Sequence, residues 1–213
     1  MKGANSRSTA GWLRLAGLGA VLLLSGCAHN IAFQDAHYAV GGERTERGVV
    51  AVIDNTTLQH EIAIRSFMTG IAHSWEAQPG LMLSQVADIE FPQMFASYQS
   101  VRTIADADLN DDPLVIELYV PAYRFSDFHA TITVRAVART ADRDPLFDQT
   151  YTAQGIRQGG KMFWGGAFAM KSAVRQSSFD AFQKIFARLR ADLNRALPRI
   201  GTKEHRAGRE PLG

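Results

Sequence analysis

One cysteine, Cys27, stands in a chain of 213 residues, so no disulfide can form within the chain and a packed core must supply the stability. No apolar run approaches the roughly 20 residues that a membrane-spanning helix needs. Seven prolines and eighteen glycines are too few for a collagen-like or Pro/Gly-dominated disordered chain. Neither sign of charge prevails, with 23 Lys and Arg against 21 Asp and Glu. Three of those bases, Lys2, Arg7 and Arg14, fall in the leading segment, and the remaining near-neutral body has no electrostatic footprint for nucleic acid. The histidines, at 29, 37, 60, 73, 129 and 205, include no pair at zinc-ligand spacing, so no metal is expected. Neither a P-loop nor a dinucleotide-binding glycine pattern occurs, and no cofactor is expected.

What is present begins with an address. The basic segment Met1 to Arg14 contains no acid and leads into Leu15 to Leu24, LAGLGAVLLL, the order of charged and apolar regions in a secretory signal peptide. The apolar run closes on Leu24-Ser25-Gly26-Cys27, which resembles the lipobox of bacterial lipoproteins. That resemblance implies that Leu24, Ser25 and Gly26 are read by a signal peptidase and that residues 1–26 are removed. It further implies that Cys27 takes a diacylglyceryl thioether and an N-linked acyl chain such as palmitate. Several chains, each contributing about 0.8 kcal/mol per buried methylene, anchor stably where a single chain does not. Ala28, His29 and Asn30 follow Cys27 without the aspartate that commonly retains such proteins at the inner membrane, so the resemblance points to the outer membrane, facing the periplasm.

Residues 27–47 read as a lipidated N-terminus and tether, 48–198 as a single domain, and 199–213 as a charged disordered tail. Within the domain, Val49 to Ile53 suits a buried strand closed by a turn at Asp54-Asn55, and Glu61 to Met68 leans to strand. Leu83, Val86, Ala87, Phe91, Met94, Phe95 and Tyr98 recur at three and four and predict an amphipathic helix that Pro92 should kink or divide. A strand at Val101 to Ile104 and an acidic loop from Ala105 to Pro113 follow. Leu114 to Phe125, Thr131 to Arg139 and Leu146 to Ile156 alternate as strands of an antiparallel meander. Ala169 to Leu197 carries Phe179, Phe182, Ile185, Phe186, Leu189 and Leu193 on one stripe, and Pro198 should stop this helix. The expected class is α+β, an antiparallel sheet of about four to six strands with two amphipathic helices packed on one face.

Chemistry-bearing patterns are few. His73-Ser74-Trp75-Glu76 gathers catalytic residue types, but sequence neighbours point in different directions and no nucleophile elbow accompanies them, so no enzyme is expected. Asp106, Asp108, Asp111 and Asp112 lack the central glycine and distal glutamate of a calcium loop, which favours a solvated acidic loop. Gly159-Gly160-Lys161-Met162-Phe163-Trp164-Gly165-Gly166 reads in two ways. Either a loop presents Met162, Phe163 and Trp164, with Lys161 near lipid phosphates, to a membrane or a partner, or it folds its aromatics back over the core.

The lipobox, the strand at Val49 to Ile53, the meander and the closing helix together resemble periplasmic auxiliary lipoproteins of intermembrane-transport ABC systems. The resemblance implies a membrane-anchored, non-enzymatic accessory subunit of an envelope transport, secretion or surface-assembly complex, with an envelope protein as partner. A carrier or sensor of a lipid or other apolar ligand is the alternative, and it expects an apolar pocket between the closing helix and the sheet. A periplasmic hydrolase ranks last.

Overall fold

The computed structural model describes residues 29–31, 33, 37–42, 44–64 and 75–207, with side chains at 29, 30, 160–168 and 198–207 left aside. In chain order the elements are β1 His29–Ile31, β2 Val49–Val52, α1 Asn55–Gln59, β3 Ile62–Ile64, β4 Trp75–Ala77, α2 Pro79–Met94 and β5 Tyr98–Val101. A 3-10 turn at Ile104–Asp106 follows, then β6 Leu114–Ser126, β7 His129–Arg139, β8 Pro145–Gln154 and α3 Gly159–Ala207. The class is α+β, with a five-stranded main sheet ordered β5-β2-β6-β7-β8 and a small sheet ordered β1-β4-β3.

The main sheet is mixed, where an antiparallel one was expected. β6, β7 and β8 form the antiparallel meander, but β2 runs parallel to both β5 and β6. The reason is connection length: a two-residue turn enforces antiparallel pairing, whereas the long passage through α2 permits a crossover. The link from β5 to β6 is a second crossover, passing over β2 on the side away from the helices. It lays Ile104, Ala107 and Leu109 on Val50, Val52, Val101 and Val115, so β2 is buried on both faces. The stretch expected as an acidic loop thus also serves as a cover.

Three helices are described instead of two, because Asp54 caps a short one: its carboxylate accepts from the Thr57 amide at 2.6 Å. α2 starts at Pro79, where a missing N–H costs nothing, and runs on through Pro92. Strand β5 lies earlier than the expected Val101 to Ile104. Between Tyr119 and Ala122 the β6–β7 register slips by one residue. Pro121 sits in that bulge, where a residue with no N–H to donate is tolerated, and the slip moves the inward side chains from Leu114, Ile116 and Leu118 to Tyr123.

The closing helix departs most from expectation. It begins at Gly159, so the backbone of 159–166 is helical and not a loop, and it continues through Pro198 to Ala207, where a stop and a disordered tail were expected. Its stripe of Met170, Val174, Phe182, Ile185, Phe186, Leu189 and Leu193 is buried with Phe91, Phe95, Leu118, Ile132 and Val134 in one core. Where helix and sheet come closest, Gly155 is required: a Cβ there would lie 1.8 Å from the Ser177 carbonyl oxygen. Part of the segment read as a tether belongs to this core, since β1 pairs with β4 and the Phe33 ring packs edge-on against Phe179 at 5.1 Å.

Candidate functional site

Two arrangements of polar groups stand out, one on the open side of the sheet and one under the N-terminal strap. On the meander, inward residues serve the core while Glu117, Tyr119, Thr133, Arg135, Arg139, Asp148 and Thr152 line the other face. They pair with one another: the Tyr119 hydroxyl donates to Glu117 Oε2, two residues back on β6, at 2.6 Å, and across strands the Thr133 and Thr152 hydroxyls meet at 3.0 Å. Arg135 Nε donates to Asp148 Oδ1 at 2.8 Å, and Arg139 lies 3.5 Å from Glu117. Partial burial and the carboxylate of Glu117 push the Tyr119 hydroxyl up to about 12. The hydrogen bond from Arg135 holds Asp148 below its ordinary value. Exposed pairs of this kind add little stability, and here they define a polar, mutually satisfied surface.

The edges of the same sheet are β5 and β8, and β8 is the one that ends the meander. A strand edge presents unpaired N–H and C=O groups, and proteins cover or charge such edges. In β8 the outward carbonyls are those of Thr152 and Gln154, which accept from Arg188 Nη1 and Lys184 Nζ, both at 2.9 Å. By the two-residue repeat of a strand, Asp148 and Thr150 also face outward. Among the described residues, no side chain caps their backbone groups.

Under the strap lies Glu90, 1% exposed in the apolar stripe of α2. Tyr38 donates to its Oε1 at 2.6 Å, and Arg190 of α3 approaches its Oε2 at 3.4 Å while donating to the Gly41 carbonyl at 2.7 Å. Gln85 Oε1 accepts from the Phe33 amide and Gln93 Oε1 from the Val40 amide, both at 2.9 Å. Burial raises the Glu90 carboxyl above its ordinary value, against the opposing pull of Tyr38 and Arg190. Beside this cluster is a void of about 20 Å³ bounded by Val40, Thr45, Met94, Phe95, Arg190 and Leu197, room for about one water. A second cleft, about 300 Å³, opens between Gly48–Val50, Ser97–Gln99 and the acids Asp108 and Asp111.

Cys27 and the preceding Leu24, Ser25 and Gly26 lie outside the described residues, as do His73 and Ser74. Lys161, Met162, Phe163 and Trp164 lie on the helical backbone of α3, with their side chains outside the described set. Trp75 is buried in the core. Three aspartates of the crossover are dispersed into local contacts, Asp106 accepting from Thr103, Asp108 from the Asn110 amide and Asp112 pairing with Arg47, while Asp111 lines the second cleft. Among the described residues no group of three metal-ligating side chains converges. Sequence reading missed Tyr38, Glu90 and Arg190. The available signal was Glu90 itself, a carboxylate in phase with Val86, Ala87, Phe91 and Met94.

No protein-family model matches the chain, and no curated protein is significantly similar to it. Among solved structures, the hypothetical protein CT253 from Chlamydia trachomatis aligns at 9% identity and a TM-score of 0.38, covering 70% of this chain and 98% of its own. A likeness at that level carries no argument about function.

Proposed function

We propose that the protein is a lipid-anchored, non-enzymatic accessory subunit of an envelope transport, secretion or surface-assembly complex, held at the periplasmic side of the outer membrane through Cys27. It binds its protein partner by strand addition along β8. The observation that carries this reading is the edge itself: Lys184 and Arg188 cap the carbonyls of its last turnward residues, while Asp148 and Thr150 remain uncapped among the described residues. An incoming strand would find main-chain groups for affinity and the polar face beside them for register.

The packing bears on the carrier alternative. An apolar ligand needs a cavity of roughly 300–1,000 Å³ lined mostly by apolar groups. The space between α3 and the sheet holds Ile132, Phe182, Phe186 and Leu189, all buried, and in the larger of the described clefts Ser97, Gln99, Asp108 and Asp111 share the lining with Val49, Val50, Tyr98 and Pro113, so it is not mostly apolar. This favours the subunit reading.

The test is an in-cell photocrosslink from position 150, with position 96 on the exposed turn after α2 as the comparison. A discrete protein adduct from 150 alone is expected and would identify the partner. Absence of any protein adduct from 150 would sink the strand-addition reading. The anchor is checked separately, since Cys27→Ser should abolish labelling by a palmitate analogue, and persistent labelling would overturn it.

A further inference from the structure

We infer that one end of the molecule, formed by the β6–β7 hairpin tip and the chain entering α3, rests on the membrane surface. The inference builds on the lipid-anchor reading of Cys27 and adds an orientation to it.

Phe128 and Ile156 are the exposed large apolar side chains of the described residues, at 36% and 54% exposure. Phe128 lies in the turn between β6 and β7 and Ile156 in the link from β8 to α3, yet they occupy one end. Gln158 N donates to the Phe128 carbonyl at 2.9 Å, Arg157 Nε to the Asp127 carbonyl at 3.1 Å, and Gly155 N to the Ala130 carbonyl at 2.8 Å. The Phe128 ring lies 3.7 Å from where a Cβ on Gly159 would stand. Asp127 and Phe128 form the hairpin turn with φ of 50° and 63°. Aspartate accepts that left-handed conformation readily, whereas a bulky aromatic rarely adopts it, so an exposed phenylalanine at this tip works against local preference.

The strap says what faces this end. Gly41 is held by Arg190, and Phe33 packs on Phe179, so going back along the strap means going back along α3 by eleven residues, about 16 Å at 1.5 Å per residue. Less than a turn further, Ser177 Oγ accepts from the amide of Ala130, two residues past Phe128. β1 prolongs the strap, lying against α3, and begins at His29, two residues after Cys27. Followed back towards its N-terminus, the strap therefore heads for the end that carries Phe128 and Ile156, and on the lipid-anchor reading the bilayer lies on that side. Arg124 and Arg157, both exposed there, suit the phosphates of lipid headgroups, and Lys161 follows in the sequence. Two apolar side chains bind a bilayer weakly alone, but an anchor raises their effective concentration at its surface.

The experiment uses the full acylated chain. A thioether at Cys27 leaves no free thiol, so a cysteine introduced by Phe128→Cys, Ile156→Cys or, as the comparison at the far end of β7, Asp142→Cys is the only labelling site. Each variant receives a polarity-sensitive fluorophore and is reconstituted into phosphatidylethanolamine vesicles with phosphatidylglycerol as the minority lipid. Blue-shifted emission at 128 and 156, with quenching by headgroup-proximal spin-labelled lipid and neither effect at 142, is the expected result. Floating protein whose labels at 128 and 156 stay as solvent-exposed as that at 142 would overturn the orientation and leave the anchor standing. Protein without acyl mass at residue 27, which would also label there, would overturn both. The Ile156→Cys variant, outside the strained turn, keeps the test meaningful if Phe128→Cys disturbs the hairpin.

Discussion

Glu90 is where a single residue couples this fold to pH. Burial favours its neutral form, so the native state holds that proton more tightly than the unfolded chain does. A raised native value means that the associated stability is complete below the ordinary 4.5 and is lost as pH rises towards the native value. Glu90→Gln removes the titration. The stability of the wild type relative to this variant should therefore decline from mildly acidic to neutral pH, as read from urea midpoints, and a constant difference would contradict the account. Asp148 has the opposite sign, its contribution fading as pH falls below the ordinary carboxylate range. Gly155 matters for space rather than charge. Gly155→Ala must push the chain off the Ser177 carbonyl, and overpacking of this kind costs about 1–3 kcal/mol, measurable by chemical denaturation.

At the scale of elements, β8 shows how a helix can police a sheet edge. Lys184 and Arg188 reach from α3 to the carbonyls of Gln154 and Thr152, which leaves the other half of the strand open. Lys184→Ser combined with Arg188→Ser should uncap these carbonyls and promote edge-to-edge self-association, detected as a concentration-dependent rise in mass by sedimentation. A variant that stays monomeric with unchanged partner crosslinking would show the caps to be incidental. The helix itself is held by packing. Phe182, fully buried between Phe33 and the sheet, should cost about 3–5 kcal/mol on replacement by alanine.

At the scale of the whole molecule, the N-terminal strap joins a prospective lipid anchor to the domain through Phe33, Tyr38 and Val40. The linkage is firm because each contact falls on α2 or α3: rings on Phe179 and Phe182, amides on Gln85 and Gln93, a carbonyl on Arg190. Phe33→Ala should loosen this segment while the meander stays intact. Hydrogen exchange would show faster exchange at residues 33–45 and unchanged protection in β6 to β8. Equal deprotection of both regions would mean that strap and sheet form one cooperative unit.

Local periodicity in the sequence was enough to locate β6, β7 and β8 and the buried stripe of α3, because alternation and three-four spacing are imposed by the backbone itself. The lipobox resemblance at Cys27 is likewise a matter of adjacent residues. Tertiary structure decided the rest. The parallel placement of β2 depends on which strands the α2 and Ile104–Leu109 crossovers bring together, and no residue of VVAV encodes that choice. The helical state of Gly159–Gly166 and the passage through Pro198 run against local propensity. The Tyr38–Glu90–Arg190 cluster and the juxtaposition of Phe128 with Ile156 unite residues far apart in the chain, and only packing brings such residues within reach of one another.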